Sequence, residues 1–143
     1  MKLWHRRCLL GLGAVLILLA PGCTWEPSID ISKKWDMPKG NLQWVEHSGV
    51  STKGAKVKIT MKATNYDVNI AVVYKENFDE AKEAIKAGRD PQIFLESFQG
   101  KSEVTITLAL EANKPFVVLV RNPSTEDAAY VTLEIKSVKG PRL

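Results

Sequence analysis

The sequence predicts a mainly β protein, an antiparallel two-sheet sandwich of jelly-roll-like form with about seven strands and one short inserted helix near residues 78–87. Three observations predict it. Apolar and polar residues alternate in several segments, turn-forming clusters separate those segments, and only one stretch carries helical periodicity.

In chain order, residues 42–47 (LQWVEH) read as a first strand with Trp44 directed inward. Val57, Ile59, Met61 and Ala63 then alternate with Lys58, Thr60 and Lys62, the period of a half-buried strand. Residues 70–74 and 116–120 are apolar on both faces, as expected of central strands. Val104, Ile106, Leu108 and Leu110 alternate with threonine and alanine, and Val131, Leu133 and Ile135 with Thr132, Glu134 and Lys136. Residues 92–98 are a weaker strand candidate. Turn chemistry stands between these segments at 65–67 (NYD), 99–101 (QGK), 113–115 (NKP) and 122–124 (NPS). In the helix, Asn77 with Glu80 has the spacing of a capping box, and Ala81, Ala84 and Ile85 form an apolar face. Gly88 ends it and Pro91 prevents its resumption.

The first 23 residues have a separate logic. Lys2, Arg6 and Arg7 precede a 13-residue apolar run, CLLGLGAVLILLA, and then Pro21-Gly22-Cys23. The run suits a secretory signal peptide, because a helix spanning a bilayer takes roughly 20 apolar residues. The stretch Leu19-Ala20-Pro21-Gly22-Cys23 resembles the bacterial lipobox, with Ala20 where leucine is commonest and Pro21 at a position where it is unusual. The resemblance implies cleavage before Cys23, a diacylglycerol on its thiol, and attachment to membrane lipid through the acylated cysteine. The only other cysteine, Cys8, lies within the segment to be removed, so no intramolecular disulfide survives that processing. Several acyl chains, at about 0.8 kcal/mol per buried methylene, hold a protein stably where one does not. Thr24, beside the acylated residue, implies outer-membrane delivery in a Gram-negative host; a single-membrane host would carry the anchor on the outer face of its membrane. Residues 24–41 (TWEPSIDISKKWDMPKGN) read as a polar tether, with Trp25 and Trp35 suited to a bilayer interface or to folding back on the domain. The expected organisation is a signal peptide at 1–22, a lipidated N-terminus and tether at 23–41, the sandwich at 42–139 and a tail at 140–143.

Processing also changes the charge. Removing Lys2, Arg6 and Arg7 from 20 Lys and Arg leaves 17 against 16 Asp and Glu, so the net charge of +4 falls to about +1. A basic stripe suggestive of nucleic acid is absent from the sequence. The mature chain retains one histidine, His47, and one cysteine, Cys23, too few for a Cys/His nucleophile pair or a Cys/His zinc cluster. His47 falls in phase with Val45 near a strand end and reads as solvent-facing. Glu76, Asp79, Glu80 and Glu83 share a helical face, interleaved with Lys75, Lys82 and Lys86, which reads as a solvated, salt-bridged surface. Asn65, Asp67 and Asn69 have the alternation that opens a calcium loop but lack its later glycine and bidentate glutamate, so a hairpin turn is expected there. No cofactor and no metal site is expected.

Residues 114–124 (KPFVVLVRNPS), followed by 129–135 (AYVTLEI), resemble the last two strands of GOLD-like and bacterial pre-peptidase C-terminal sandwich domains. The resemblance implies a non-catalytic accessory module that contacts a protein partner in the cell envelope. A glycan-binding module is the second expectation, with Trp25, Trp35, Tyr66, Phe94, Phe98 and Tyr130 as a candidate aromatic platform. An enzyme is not expected.

Overall fold

The computed structural model describes residues 28–49 and 54–138. Among them are eight strands: β1 (Asp30–Met37), β2 (Leu42–His47), β3 (Ala55–Thr64), β4 (Val68–Tyr74), β5 (Glu96–Lys101), β6 (Glu103–Leu110), β7 (Phe116–Arg121) and β8 (Ala129–Val138). One helix, α1 (Phe78–Lys86), follows a 3-10 turn at Lys75–Asn77 between β4 and β5. The strands form two four-stranded sheets ordered β1-β8-β3-β6 and β2-β7-β4-β5, with every pair antiparallel. Most connections cross from one sheet to the other, the winding of a jelly roll. The expected sandwich is present, with eight strands rather than about seven.

Alternation drives the main core. Val57, Ile59, Met61 and Leu133, Ile135 on one sheet meet Val68, Ile70, Val72, Phe116, Val118 and Val120 on the other, all at 1% exposure or less. Their polar alternates face solvent. The second sheet is apolar on its outer face too, where Ala71, Val73, Val117 and Leu119 are buried against Phe78, Ala81 and Ile85 of α1. Two apolar faces explain why β4 and β7 read as continuous apolar runs.

Three sequence expectations are revised. The tether to residue 41 is shorter, because residues 30–37 are the edge strand β1, paired along its length with β8. Ile29, Ile31, Trp35 and Met37 keep a period of two, but Lys33 stands opposite buried Leu133 and is itself exposed, which breaks the stripe. Trp35 accordingly packs on the main core, whereas Trp25 lies outside the described residues. Trp44 is 41% exposed and Val45 is the inward residue of β2. The tryptophan lies instead on the helix side, 5.5 Å from the Phe78 ring, with Lys82 Nζ 4.9 Å above it. The fifth strand is Glu96–Lys101, not 92–98. It passes through an extra residue opposite β4, where Gly100 at φ +57° donates its N–H to Asn69 Oδ1 at 2.9 Å.

Helix α1 ends as expected and begins otherwise. Gly88, at φ +70°, donates to the Ile85 carbonyl and Arg89 to that of Ala84, the paired bonds of a Schellman terminus. Arg121 Nη1 donates to the Ile85 carbonyl at 2.9 Å, a cation placed where the helix dipole favours one. At the other end Asn77 makes no side-chain capping bond, because the preceding 3-10 turn holds it at φ −102°, ψ 9° rather than in extended backbone.

One buried amide joins two of the places where the chain changes sheets. Asn122, fully buried after β7, donates from Nδ2 to the carbonyls of Met37 at 3.0 Å and Asp127 at 2.8 Å. Its Oδ1 accepts from the Ser124 N–H, and Ser124 Oγ accepts from the N–H groups of Glu126 and Asp127. Backbone bonds from Gly40 to Ser124 and from Asn122 to Asn41 complete the tie between the β1–β2 turn and the β7–β8 loop. Replacing Asn122 with Ala strands these carbonyls, so Asn122→Ala is expected to lower the unfolding free energy by about 2–4 kcal/mol. Urea unfolding at unchanged m-value measures it, and a loss under about 0.5 kcal/mol, the scale of an ordinary surface substitution, contradicts the assignment.

Candidate functional site

The registers define two ends of the sandwich. The end called proximal holds the start of β1, the end of β8, and the His47, Tyr74 and Phe116 row of the second sheet. The distal end holds the β1–β2 turn, the Asn65-Tyr66-Asp67 turn, Ser102 and the Asn122 loop.

Each end carries a depression. The distal one is an open cleft of about 710 Å³ lined by Ala63, Asn65, Tyr66, Asp67, Gly100, Ser102 and Pro123. The proximal one, about 320 Å³, is lined by Tyr74, Lys75, Glu76, Lys114 and Pro115. Beside the distal cleft, Asn65 reaches φ +73° in the turn and Asn69 Oδ1 is occupied by the Gly100 N–H, so of the alternating residues one serves the turn through its backbone and one the bulge through its side chain. Among the described residues no group of three or more His, Cys, Asp or Glu side chains is placed to hold a metal ion.

His47 is half-buried rather than simply solvent-facing. Its ring stacks on Phe116 with centroids 5.5 Å apart, and Nδ1 accepts the Gly49 N–H at 3.2 Å. That bond assigns the proton of the neutral ring to Nε2. In this role the imidazole caps the proximal edge of the core and stiffens the chain leaving β2.

The acidic helix face is exposed, and two of its four acids, Glu76 and Glu83, are paired. Glu83 meets Lys86 at 3.2 Å, Glu76 lies 3.9 Å from Lys114, and Lys75 bonds Glu46 on β2. Lys82 takes aromatic faces, those of Trp44 and Phe78. Two lysines are held above the ordinary lysine pKa, Lys114 chiefly by its bond to Glu111 and Lys136 by its bond to Glu134. Both shifts keep the amine protonated, opposite to the depression that makes a lysine a base or nucleophile.

The candidate aromatic platform is dispersed. Trp35 and Phe98 pack against the main core, and Tyr130 stands on the outer face of the first sheet opposite Asp36 and Thr64. Tyr66 is at the distal cleft. Phe94, 46% exposed, lies on the connection into β5, between Asp90, whose Oδ1 accepts from Ser97 Oγ at 2.7 Å, and Leu95, which donates to the Val72 carbonyl. No ring pair is formed within this set among the described residues. Sequence reasoning passed over Ile93 and Trp44 as surface residues, although Ile93 is 55% exposed and Trp44 41%. Cys23 lies outside the described residues, and among those described no helix is long and apolar enough to cross a membrane.

No family model matches the sequence, and no curated protein sequence matches it. Among solved structures the chain is similar to the Yersinia pseudotuberculosis-derived mitogen, at TM-score 0.49 and 9% identity over 82% of this chain and 91% of that one. It is also similar to Aeromonas hydrophila PliG, a periplasmic lysozyme inhibitor of g-type lysozyme, at TM-score 0.42 and 10% identity over 83% and 93%. Likenesses of this size carry no inference about role.

If His47 acts through packing, its ring matters and its nitrogen chemistry does not. His47→Ala is expected to cost about 1–2 kcal/mol of stability, with His47→Phe recovering most of it through the stack on Phe116. Thermal unfolding of the two variants measures this, and equal losses in both would contradict the packing role.

Proposed function

We propose that the protein is a cell-envelope lipoprotein, anchored through an acylated Cys23, whose jelly-roll domain is a non-catalytic module for contacting a protein partner. The observation that carries the reading is the placement of the chemistry-bearing side chains. His47 is committed to Phe116 and Gly49, the carboxylates of α1 are spread over an exposed face, and the loops of the distal end are rigidly tied by Asn122. Rigid loops on a β scaffold suit recognition, because little ordering entropy is lost on contact. The lipobox supplies the address and the start of β1 at Asp30 puts the domain close behind it. In this reading the signal peptide is residues 1–22, and Thr24 directs the product to the outer membrane where the host has one.

Replacing Cys23 with Ala is expected to give an unlipidated product that leaves the membrane fraction. The wild-type chain should show the added mass of the acyl groups and stay with the membrane. A mature wild-type chain whose mass lacks the acyl groups sinks the anchor. For the partner, cross-linking in the native envelope followed by purification of the acylated chain is expected to give one discrete protein adduct. Substituting Thr125 and Tyr66 with Arg in the distal loops should remove the adduct while leaving the urea midpoint within about 0.5 kcal/mol of wild type. An adduct that survives both substitutions places recognition elsewhere.

A further inference from the structure

We propose that the free edge of β6 docks a second copy of this chain, the two β6 strands pairing antiparallel about a twofold axis at Ile106. The surface is separate from the distal loops, and the inference rests on neither the lipid anchor nor the partner contacted there.

A sheet that ends in solvent exposes a row of unpaired backbone groups, and stable monomers blunt such edges with charge, bulges or short strands. The two sheets end in β1 and β6, and in β2 and β5. Strand β1 carries exposed Lys33 opposite buried Leu133, a charge at a core-side position that opposes the addition of another strand. Strand β2 has six residues and bears Glu46, tied to Lys75. Strand β5 is as short and is bulged, and the bond from Ser97 Oγ to Asp90 Oδ1 lays the preceding connection along it. Strand β6 has none of these features. It runs eight residues in unbroken register with β3, and from Val104 to Leu110 it holds no charge, proline or glycine.

The ladder with β3 identifies the free groups. One step beyond the Lys62–Glu103 pair, the Ala63 N–H donates to the Ser102 carbonyl at 2.7 Å. Hydrogen-bonded and non-hydrogen-bonded positions alternate along an antiparallel pair, so Val104, Ile106, Leu108 and Leu110 direct their backbone groups to β3. Those of Glu103, Thr105, Thr107 and Ala109 point away from it, and β6 has no second strand neighbour among the described residues. Leu108 is only partly buried, as is Phe98 of β5, so apolar surface on this side of the core remains to be covered.

A second β6 fits this edge. With Ile106 on the axis, Thr105 stands opposite Thr107 of the second copy and Glu103 opposite its Ala109, so every free residue meets a free residue. Paired threonines suit such positions. Moving the axis to Thr107 would set Glu103 against Glu111, whose N–H is already given to Tyr74 Oη at 3.0 Å. Moving it to Thr105 would leave Ala109 without a partner, because Lys101 belongs to β5. In the Ile106 register each Glu103 falls beside an alanine whose neighbour on β3 is Lys56. Two strand spacings, roughly 10 Å, separate that lysine from the glutamate, within reach of two long side chains over a small residue. Glu103 also meets Lys62 of its own chain at 3.2 Å, so each carboxylate lies between two lysines. The assembly is closed, because the joined sheet ends in β1 on both sides and Lys33 opposes further addition there.

Sedimentation equilibrium of the full-length protein in a density-matched detergent tests this, with amide exchange followed at a high and a low protein concentration. The wild-type chain is expected to show a monomer–dimer equilibrium. The amides of Thr105, Thr107 and Ala109 should lose protection on dilution, while those of Ile106 and Leu108 keep it. Thr105→Glu with Thr107→Glu sets carboxylates opposite one another and should raise the dimer Kd about tenfold or more at an unchanged urea midpoint. Thr105→Lys with Thr107→Glu sets opposite charges face to face and should restore the dimer. A wild-type chain that stays monomeric overturns the proposal, as does a dimer indifferent to the two glutamates. Protection at Thr105 and Thr107 that ignores dilution overturns it too, since a segment of the same chain would then cover the edge. Equal loss of the dimer in both double variants overturns the register.

Discussion

The fold depends on a single carboxamide placed where two sheet crossings meet. Each crossing forces the chain to abandon its ladder, leaving backbone carbonyls that the sheets no longer satisfy. Asn122 answers both with one side chain: its amide nitrogen serves Met37 on one crossing and Asp127 on the other, and its oxygen holds Ser124. No other side chain substitutes easily at full burial. A carboxylate would set charge against those carbonyls, and an apolar group would leave them bare in a medium where a missing bond costs most. With the corner fixed, β1 and β2 are held on opposite sheets at a set angle, and the strands stacked beside them inherit that geometry.

How much of this was legible in the sequence follows from how locally each feature is encoded. Strands β3, β6 and β8 show clean alternation because each belongs to the sheet whose outer face is open to water. The Asn-containing turn at 65–67 and the asparagine at 113 were readable because both asparagines take the left-handed conformation that few side chains tolerate. The stop at Gly88 was readable for a similar reason. Strand β1 was not, since Lys33 occupies a core-side register position at the sheet edge, and the strand's only sheet neighbour lies at the far end of the chain. Trp44 was placed on the wrong face because β2 is apolar on both sides, and only the position of α1 decides which side takes the indole. Of the site, Cys23 is read from a contiguous motif and lies outside the described residues. The dispersal of the aromatics was not legible, because it is a property of the winding.

The two sheets differ in what they leave exposed. One is roofed by α1 and carries a second apolar layer beneath it; the other is bare, with lysine and threonine rows running across its four strands. Lys62–Glu103 and Lys136–Glu134 bridge that surface, but both pairs are well exposed and contribute little to stability. The open face is therefore held by its buried side. Its outward residues are free to differ without endangering the core, a latitude that the helix-covered sheet lacks.

The pairing of β1 with β8 has a further consequence, for the order of assembly. A chain is synthesised from its N-terminus, so β1 is the first of the described strands to be made and waits for the last. Its ladder partners do not exist until synthesis is nearly complete. Contacts this remote are also slow to form once both segments are present, because a long loop must close before any bond rewards it. Strand β1 thus stays without its ladder until the end of the chain is made, and folding then closes β8 beside it.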